Sequence, residues 1–465
     1  MAMLSDDQRA TLAWMVHHKR RWPLVAMCWL GLGYAIVATI VGRNWRRAEA
    51  AYVESSASVR ALAPAPLPDE RNAARRWQAA EAALVPFRPA AEVVASDETD
   101  PRPANARPSA SRTDPLFTKA WRAESTWAPG SELRRRLADN RQAITEALAA
   151  AELADVRWEM PYERALPEYR HMDGLRTAVR LLRAHALEAS HDGDWEAFHG
   201  TLRALLAAIA HGQQPAGIMP MLQGRSFRSI LLDTVVEGVA IARWQVSHER
   251  LRALVELVRA SGTGDQRLSA VLAADRAHGQ MVIDGLGCGR PSGEGRPRDL
   301  AAPEALSWYS LIYGLDREFY ARMTHAVIVR EQARERGDPA VPLDVERDFR
   351  IRRMVAPILY VGTGLLLPPL EMINHDLRLQ ARQELVEMAL AACAHRLDSG
   401  AWPPASAAGR DPLARDGAAF RWRIDEHGDL EVRSVGRNGV VNADVVANGP
   451  SSDDLVYVVH CGGSP

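Results

Sequence analysis

The longest apolar run of the chain lies at residues 22–42, WPLVAMCWLGLGYAIVATIVG, and contains no charged residue. Basic residues flank the run on both sides: Lys19, Arg20 and Arg21 before it, Arg43, Arg46 and Arg47 after it. About 20 apolar residues suffice for a helix to cross the hydrocarbon core of a bilayer. The pattern therefore predicts a transmembrane helix at residues 22–42, behind a short N-terminal segment at residues 1–21.

A cleaved signal peptide is the alternative to this anchor. Its apolar region would be shorter, about 7–15 residues, and a small-residue cleavage site would follow it. The slight excess of basic residues before the run favours an N-terminus inside the cytoplasm. We therefore expect a single-pass inner-membrane protein whose bulk is periplasmic. The second apolar stretch, residues 354–373, contains Pro368 and Pro369, and is either a broken buried helix or a second span.

Helical periodicity continues beyond the first run. Residues 43–90 predict juxtamembrane helices, and residues 91–115, rich in Pro, Ala, Ser and Asp, predict a flexible linker. From residue 116 to 374, apolar residues recur at the i, i+3, i+4, i+7 spacing of amphipathic helices. Two such stripes are Leu202, Leu205, Leu206 and Ile209, and Leu251, Leu254, Val255 and Val258. Short turns such as residues 191–194 separate them, which predicts a domain of packed helical hairpins.

The pattern changes in the last part of the chain, residues 375–465. A helical stretch at residues 375–397 precedes three runs that alternate with a period of two, at residues 420–424, 430–435 and 455–459. His427, Gly428 and Asp429 separate the first two runs, as in a β-hairpin. The tail is therefore predicted to form one long helix packed on a small antiparallel sheet, and the whole fold to be mainly α.

Motifs in this tail resemble those of the type II secretion major pseudopilin (G-type). The helix ends at Gly400-Ala401-Trp402-Pro403, the segment 411–417 reads DPLARDG, and Asp453-Asp454 precede the last strand. The resemblance covers about the last 90 residues. It implies a pseudopilin-like domain and a calcium ion bound by Asp453 and Asp454, with Asn438 and Asn442 nearby. The alternative is that both aspartates are solvated residues at the start of an edge strand.

The layout of the chain also resembles a group of large bacterial membrane proteins with one N-terminal span. The shared features are an Asn72-Ala73-Ala74 helix, a helical middle with Gly193-Asp194-Trp195 and the pseudopilin-like tail. This resemblance implies no activity.

Charge and cysteine content exclude some classes of function. The chain has 57 basic and 58 acidic residues, a net charge of −1, without long runs of one sign. A nucleic-acid partner is therefore not expected. Its four cysteines, Cys28, Cys288, Cys393 and Cys461, show neither a disulfide framework nor the spacing of a zinc site.

Candidate chemistry is sparse, and the sequence predicts no catalytic residue and no organic cofactor. One group of potential metal ligands stands out: His185, His191, Asp192, Asp194, His199 and His211. Their spacing fits surface histidines at helix ends better than a metal site. Glu371, in an apolar stretch, is either a buried carboxylate of raised pKa or a residue at a helix end.

These observations predict a membrane-anchored scaffold or interaction protein of the cell envelope, related to secretion or pilus-like machinery and bound to envelope proteins. A membrane-anchored hydrolase with a site in the helical domain is the main alternative, and a ligand-sensing ectodomain is the third. A deep polar pocket near His191 or Glu371 would favour an enzyme. An apolar groove between hairpins would favour a scaffold.

Overall fold

The computed structural model describes residues 22–63, 65–85, 128–160, 169, 171–214, 217–263, 268–288, 303–336, 371–404, 409–414, 418–424, 430–434 and 456–459. Most of them are helical, and a three-stranded antiparallel sheet lies near the C-terminus. They form two compact units. The first contains the described residues of 22–62 and 276–336, and the second those of 63–275 and 371–459.

Three helical segments build the first unit. They are α1 (Trp22–Ala61), the C-terminal half of α9 (Leu268–Gly287) and α10 (Pro303–Glu335). Tyrosines fill the space between these helices: Tyr309, Tyr313 and Tyr320 are all less than 9% exposed. The close approach of Tyr313 depends on Gly287, because a Cβ at that glycine would lie 2.5 Å from the tyrosine ring.

Helix α1 bears directly on the predicted membrane anchor. It continues from Trp22 to Ala61, beyond the charged residues that follow the apolar run. Its side chains are described from Met27 onward, and large ones such as Trp29 and Tyr34 are 69% and 77% exposed. No helix among the residues that the structure describes is both long enough and apolar enough to cross a lipid bilayer.

A membrane span at residues 22–42 requires a helix that meets both conditions. For the part of the chain that the structure describes, the predicted transmembrane helix at residues 22–42 is therefore wrong. The predictions of a single-pass, inner-membrane protein with a periplasmic bulk depended on that helix, and they are wrong with it.

The second unit contains the remaining helices. They are α2 (Ala73–Ala83), α3 (Ser131–Asp139), α4 (Arg141–Ala151), α5 (His171–Asp192), α6 (Trp195–Gly212), α7 (Ile218–Ala240), α8 (His248–Thr263), the N-terminal half of α9 and α11 (Glu371–Ser399). Helix α6 packs against α5, α7 and α4, and α2 packs against α4. The predicted stripes face this core, since Leu202, Leu205, Leu251 and Leu254 are at most 1% exposed. The prediction of a mainly helical fold is confirmed.

The turn between α5 and α6 lies where residues 191–194 predicted one. Gly193 adopts a φ of +82°, a left-handed conformation that glycine enters at little cost. Asp194 then caps α6, since its carboxylate accepts a hydrogen bond of 3.0 Å from the backbone N–H of Ala197. The turn therefore reverses the chain and starts the next helix within two residues.

The tail has the predicted secondary structure. Helix α11 ends at Ser399, and Gly400 follows with a φ of +73°. Three strands come after it: β1 (Arg421–Ile424), β2 (Leu430–Arg433) and β3 (Val456–Val459). They pair antiparallel in the order β1-β2-β3, with Trp422 opposite Val432 and Val432 opposite Tyr457. Helix α11 contacts β2 and β3, as predicted, and it also packs against α7 and α8. The tail therefore lies in the same compact unit as the hairpins.

Asp411, the first residue of the DPLARDG segment, holds the start of this sheet region together. It is 1% exposed, and its carboxylate accepts hydrogen bonds from Leu413 N–H at 2.9 Å and Ser434 Oγ at 2.8 Å. An Asp411→Ala substitution should lower the free energy of unfolding by about 2–3 kcal/mol, because two buried donors lose a charged acceptor. Urea denaturation followed by circular dichroism measures the change.

The exposed Asp139 at the end of α3 offers a matched control. Asp139→Ala should move the urea midpoint little, since surface substitutions of this kind usually stay within about 0.5 kcal/mol. Equal midpoints for the two variants would contradict the structural role given to Asp411.

Candidate functional site

The structure disperses the predicted group of metal ligands: His185, His191, Asp192, Asp194, His199 and His211. His191 Nδ1 lies 3.0 Å from Asp192 Oδ1, and Arg134 Nη2 lies 2.6 Å from the same oxygen. Burial acts to raise the pKa of Asp192, but the hydrogen bonds from His191 and Arg134 outweigh it and lower this pKa. Asp192 is therefore part of an ion-pair network on α3 and α5.

The other members have separate structural roles. Asp194 caps α6, and His185 lies 4.0 Å from Glu188 on its own helix. His199 stacks on Trp195, with ring centroids 5.2 Å apart. Among the described residues, no group of three or more His, Cys, Asp or Glu side chains is placed to hold a metal ion.

His211 is the most enclosed histidine of the group, and its contacts are structural. It is 3% exposed, and its Nδ1 accepts a hydrogen bond of 3.0 Å from Trp77 Nε1. Trp158 Nε1 donates to its backbone carbonyl at 2.9 Å. Burial lowers the pKa of His211 to about 4, although hydrogen bonds to the carbonyls of Leu153 and Ala154 oppose the shift. A neutral imidazole therefore joins α2, α6 and the segment after α4.

Two predicted sites cannot be located. Asp453 and Asp454, the predicted calcium ligands, lie outside the described residues, so the calcium ion stays a prediction. Glu371 is the first residue of α11, and its side chain lies outside the described part of the chain.

A cleft of 320 Å³ between α4, α6 and α8 is the candidate functional site. Helix α6 provides one wall, made of Arg203, Leu206, Ala207, Ile209, Ala210 and Gln213. The C-terminal ends of α4 and α8 provide the other walls, made of Ala151, Glu152, Ala260 and Ser261. Four of these residues are alanines, whose short side chains leave space between the three helices. The cleft is therefore open and mostly apolar.

Local contacts position Ser261 and Gln213, two buried polar residues that line this cleft. Ser261 is 2% exposed, and its Oγ donates to the carbonyl of Val258 at 2.6 Å. Gln213 ends α6, and its backbone N–H donates to the carbonyl of Ile209 at 3.2 Å. Its side chain packs against Gly224, where a Cβ would overlap it. Both polar residues are therefore held in position.

The two charged side chains of the cleft are Glu152, on α4's C-cap, and Arg203, on α6. Both are exposed, and neither forms an ion pair with another described residue. Burial, together with the nearby charge of Arg203, lowers the pKa of His199, one helical turn away. The cleft thus has a carboxylate on one wall and a guanidinium on another.

A side-chain nucleophile lies within about 2.6–3.2 Å of the base that activates it. The one hydroxyl among the lining residues is that of Ser261, and its hydrogen bond goes to a backbone carbonyl. Sequence reasoning missed the cleft, although the paired alanines of α6, Ala207-Ala208 and then Ala210, already departed from a stripe of large apolar residues.

A second polar cluster is buried in the first unit. Asp284 is 0% exposed, and its Oδ1 accepts hydrogen bonds from Tyr313 Oη at 2.6 Å and Arg317 Nε at 2.8 Å. Tyr309 Oη donates to Asp316 at 2.8 Å. Burial and the neighbouring carboxylates raise the pKa of both tyrosines, so they stay protonated as donors. We assign this cluster to the stability of the unit.

No family model, curated protein or solved structure matches this chain. The resemblance of the tail to the major pseudopilins therefore stays a prediction.

Proposed function

We propose that this chain is an interaction or scaffold protein that holds a partner polypeptide in the cleft between α4, α6 and α8. The observation that carries the proposal is the lining of the cleft, four alanines with Leu206 and Ile209 between packed helices. Grooves of this kind accept an extended or helical segment whose apolar side chains enter them. A link to secretion or pilus-like machinery is part of the proposal, supported by the tail's motifs and its helix-on-sheet arrangement.

The hydrolase alternative has less support. A deep polar pocket near His191 or Glu371 would have favoured it. His191 does not line the cleft, and the lining residues contain no histidine, cysteine or aspartate.

Photocrosslinking from inside the cleft tests the proposal. Ala210 is exposed and lines the cleft, so a benzoylphenylalanine placed there should capture one defined protein in intact cells. The same group at Ala138, an exposed position on α3 outside the cleft, is the control. The purified partner should then bind the chain, and Ala207→Trp should weaken that binding at least about tenfold by filling the cleft.

An Ala138→Trp variant controls for the added indole and should bind normally. The urea midpoint of Ala207→Trp should stay near that of the wild-type protein, because the cleft is open to solvent. Equal capture from Ala210 and Ala138, or unchanged binding by Ala207→Trp, would refute the proposed function.

A further inference from the structure

Three carboxylates on α4 and in the segment after it form ion pairs with arginines. Around α4, Glu146 pairs with Arg76 at 2.9 Å. In the segment that follows, Asp155 pairs with Arg71 at 2.8 Å and Glu159 with Arg75 at 2.9 Å. Each of these three carboxylates therefore has a guanidinium partner.

Glu152, which lies between Glu146 and Asp155 in sequence, has no such ion pair among the described residues. Neither Glu152 nor Arg203 forms an ion pair with a described residue, although both line the same cleft and carry opposite charges. Glu152 is the C-cap of α4 and Arg203 lies in the middle of α6, two helices that pack against each other. The mostly apolar lining of the cleft therefore includes one carboxylate and one guanidinium.

We propose that the partner segment carries an acidic side chain that binds Arg203 and a basic side chain that binds Glu152, with small apolar residues between them. This inference rests on the proposed function and specifies its partner. A guanidinium presents paired N–H donors that match a carboxylate, so Arg203 selects Asp or Glu. Glu152 selects Lys or Arg at the other side. Because the two walls differ in charge, the segment binds in one direction only.

The alanines set the size of the residues between these charges. Ala207, Ala210 and Ala260 leave room for short side chains, whereas a cleft of 320 Å³ is too small for several large ones. The expected pattern is thus an acidic and a basic residue that flank residues of the size of alanine, valine or leucine.

A random 12-residue peptide library displayed on phage tests this pattern directly. Selection on the wild-type chain should enrich peptides with an acidic and a basic residue flanking small apolar ones. Selection on the double variant Arg203→Glu with Glu152→Arg should enrich the same pattern in reversed order. A synthetic peptide from the first selection should bind the double variant about tenfold more weakly, the size expected for two lost surface ion pairs and two repulsions.

Three controls separate the outcomes. Arg135→Glu reverses an exposed charge outside the cleft and should leave the selected pattern unchanged. Ala207→Trp should abolish binding of the selected peptides. If it does so while both selections give the same pattern, or one without charges, the charge inference is overturned and the proposed function stands. If no peptide binding depends on Ala207→Trp, the proposed function fails as well.

Discussion

Replacing Arg183 with methionine should lower the free energy of unfolding by about 3–5 kcal/mol, the cost typical of breaking a buried ion pair from one side. Arg183, on α5, is 0% exposed, and its Nη2 lies 2.6 Å from Glu237 Oε2 on α7. Methionine fills much of the same volume but leaves the carboxylate of Glu237, itself 15% exposed, without this cation. Urea denaturation followed by circular dichroism measures the loss.

A substitution of the partner, Glu237, provides the control. Adding Glu237→Leu to Arg183→Met removes the remaining buried charge, so the double variant should recover a substantial part of the lost stability. Two results would contradict this role of the pair in the packing of α5 on α7. One is a loss of less than about 1 kcal/mol in the free energy of unfolding of Arg183→Met. The other is a double variant that is less stable than Arg183→Met.

Acidification from pH 7 to pH 4 should destabilise the chain, with His211 alone contributing about 3 kcal/mol. Its pKa in the folded state is about 4, lower than the ordinary value of 6.5. Between these values the unfolded chain binds a proton that the folded chain does not. The stabilising effect of the neutral imidazole is therefore fully present above pH 6.5 and is lost as the pH falls towards 4. His171 stacks on Trp158, and burial lowers its pKa to about 4, so it acts in the same direction.

Comparison of variants isolates this contribution. Asp275, whose pKa burial raises to about 6, acts in the opposite direction, so the pH profile of the wild-type chain alone does not separate the groups. His211→Asn should be less stable at pH 7, and its urea midpoint should fall less on acidification. His395→Asn, at an exposed position, should keep the wild-type slope. Parallel profiles for wild type and His211→Asn would contradict the assigned role of His211.

The periodicity of apolar residues predicted the features that depend on residues close together in sequence. The stripes of α6 and α8, the Gly193-Asp194 turn and the three strands of the tail follow from side chains spaced by one helical turn or alternating on a strand. Each such pattern says that an element has an apolar face. It does not say which other element covers that face. For this reason the packing of α11 on the sheet was predicted, but its packing on the helical hairpins was not.

The wrong prediction and the missed site have physical reasons of the same kind. An apolar run between basic residues predicted a membrane helix at residues 22–42, but no described helix is both long and apolar enough to cross a bilayer. The cleft depends on three helices that are distant in sequence, where small residues meet by packing. Neither Ala260 nor Glu152 belongs to a recognisable motif, so only the three-dimensional arrangement brings them together.

The packing of α11 on α7 and α8 also has a consequence for synthesis on the ribosome. About a hundred residues separate Thr263, at the end of α8, from Glu371, at the start of α11. At about 5–20 residues per second, the nascent chain waits on the order of ten seconds for its last helix. During that interval, apolar side chains of α8 that α11 will cover face water. A ribosome-bound chain stopped before residue 371 is therefore expected to recruit chaperones, and release should follow once α11 has left the exit tunnel.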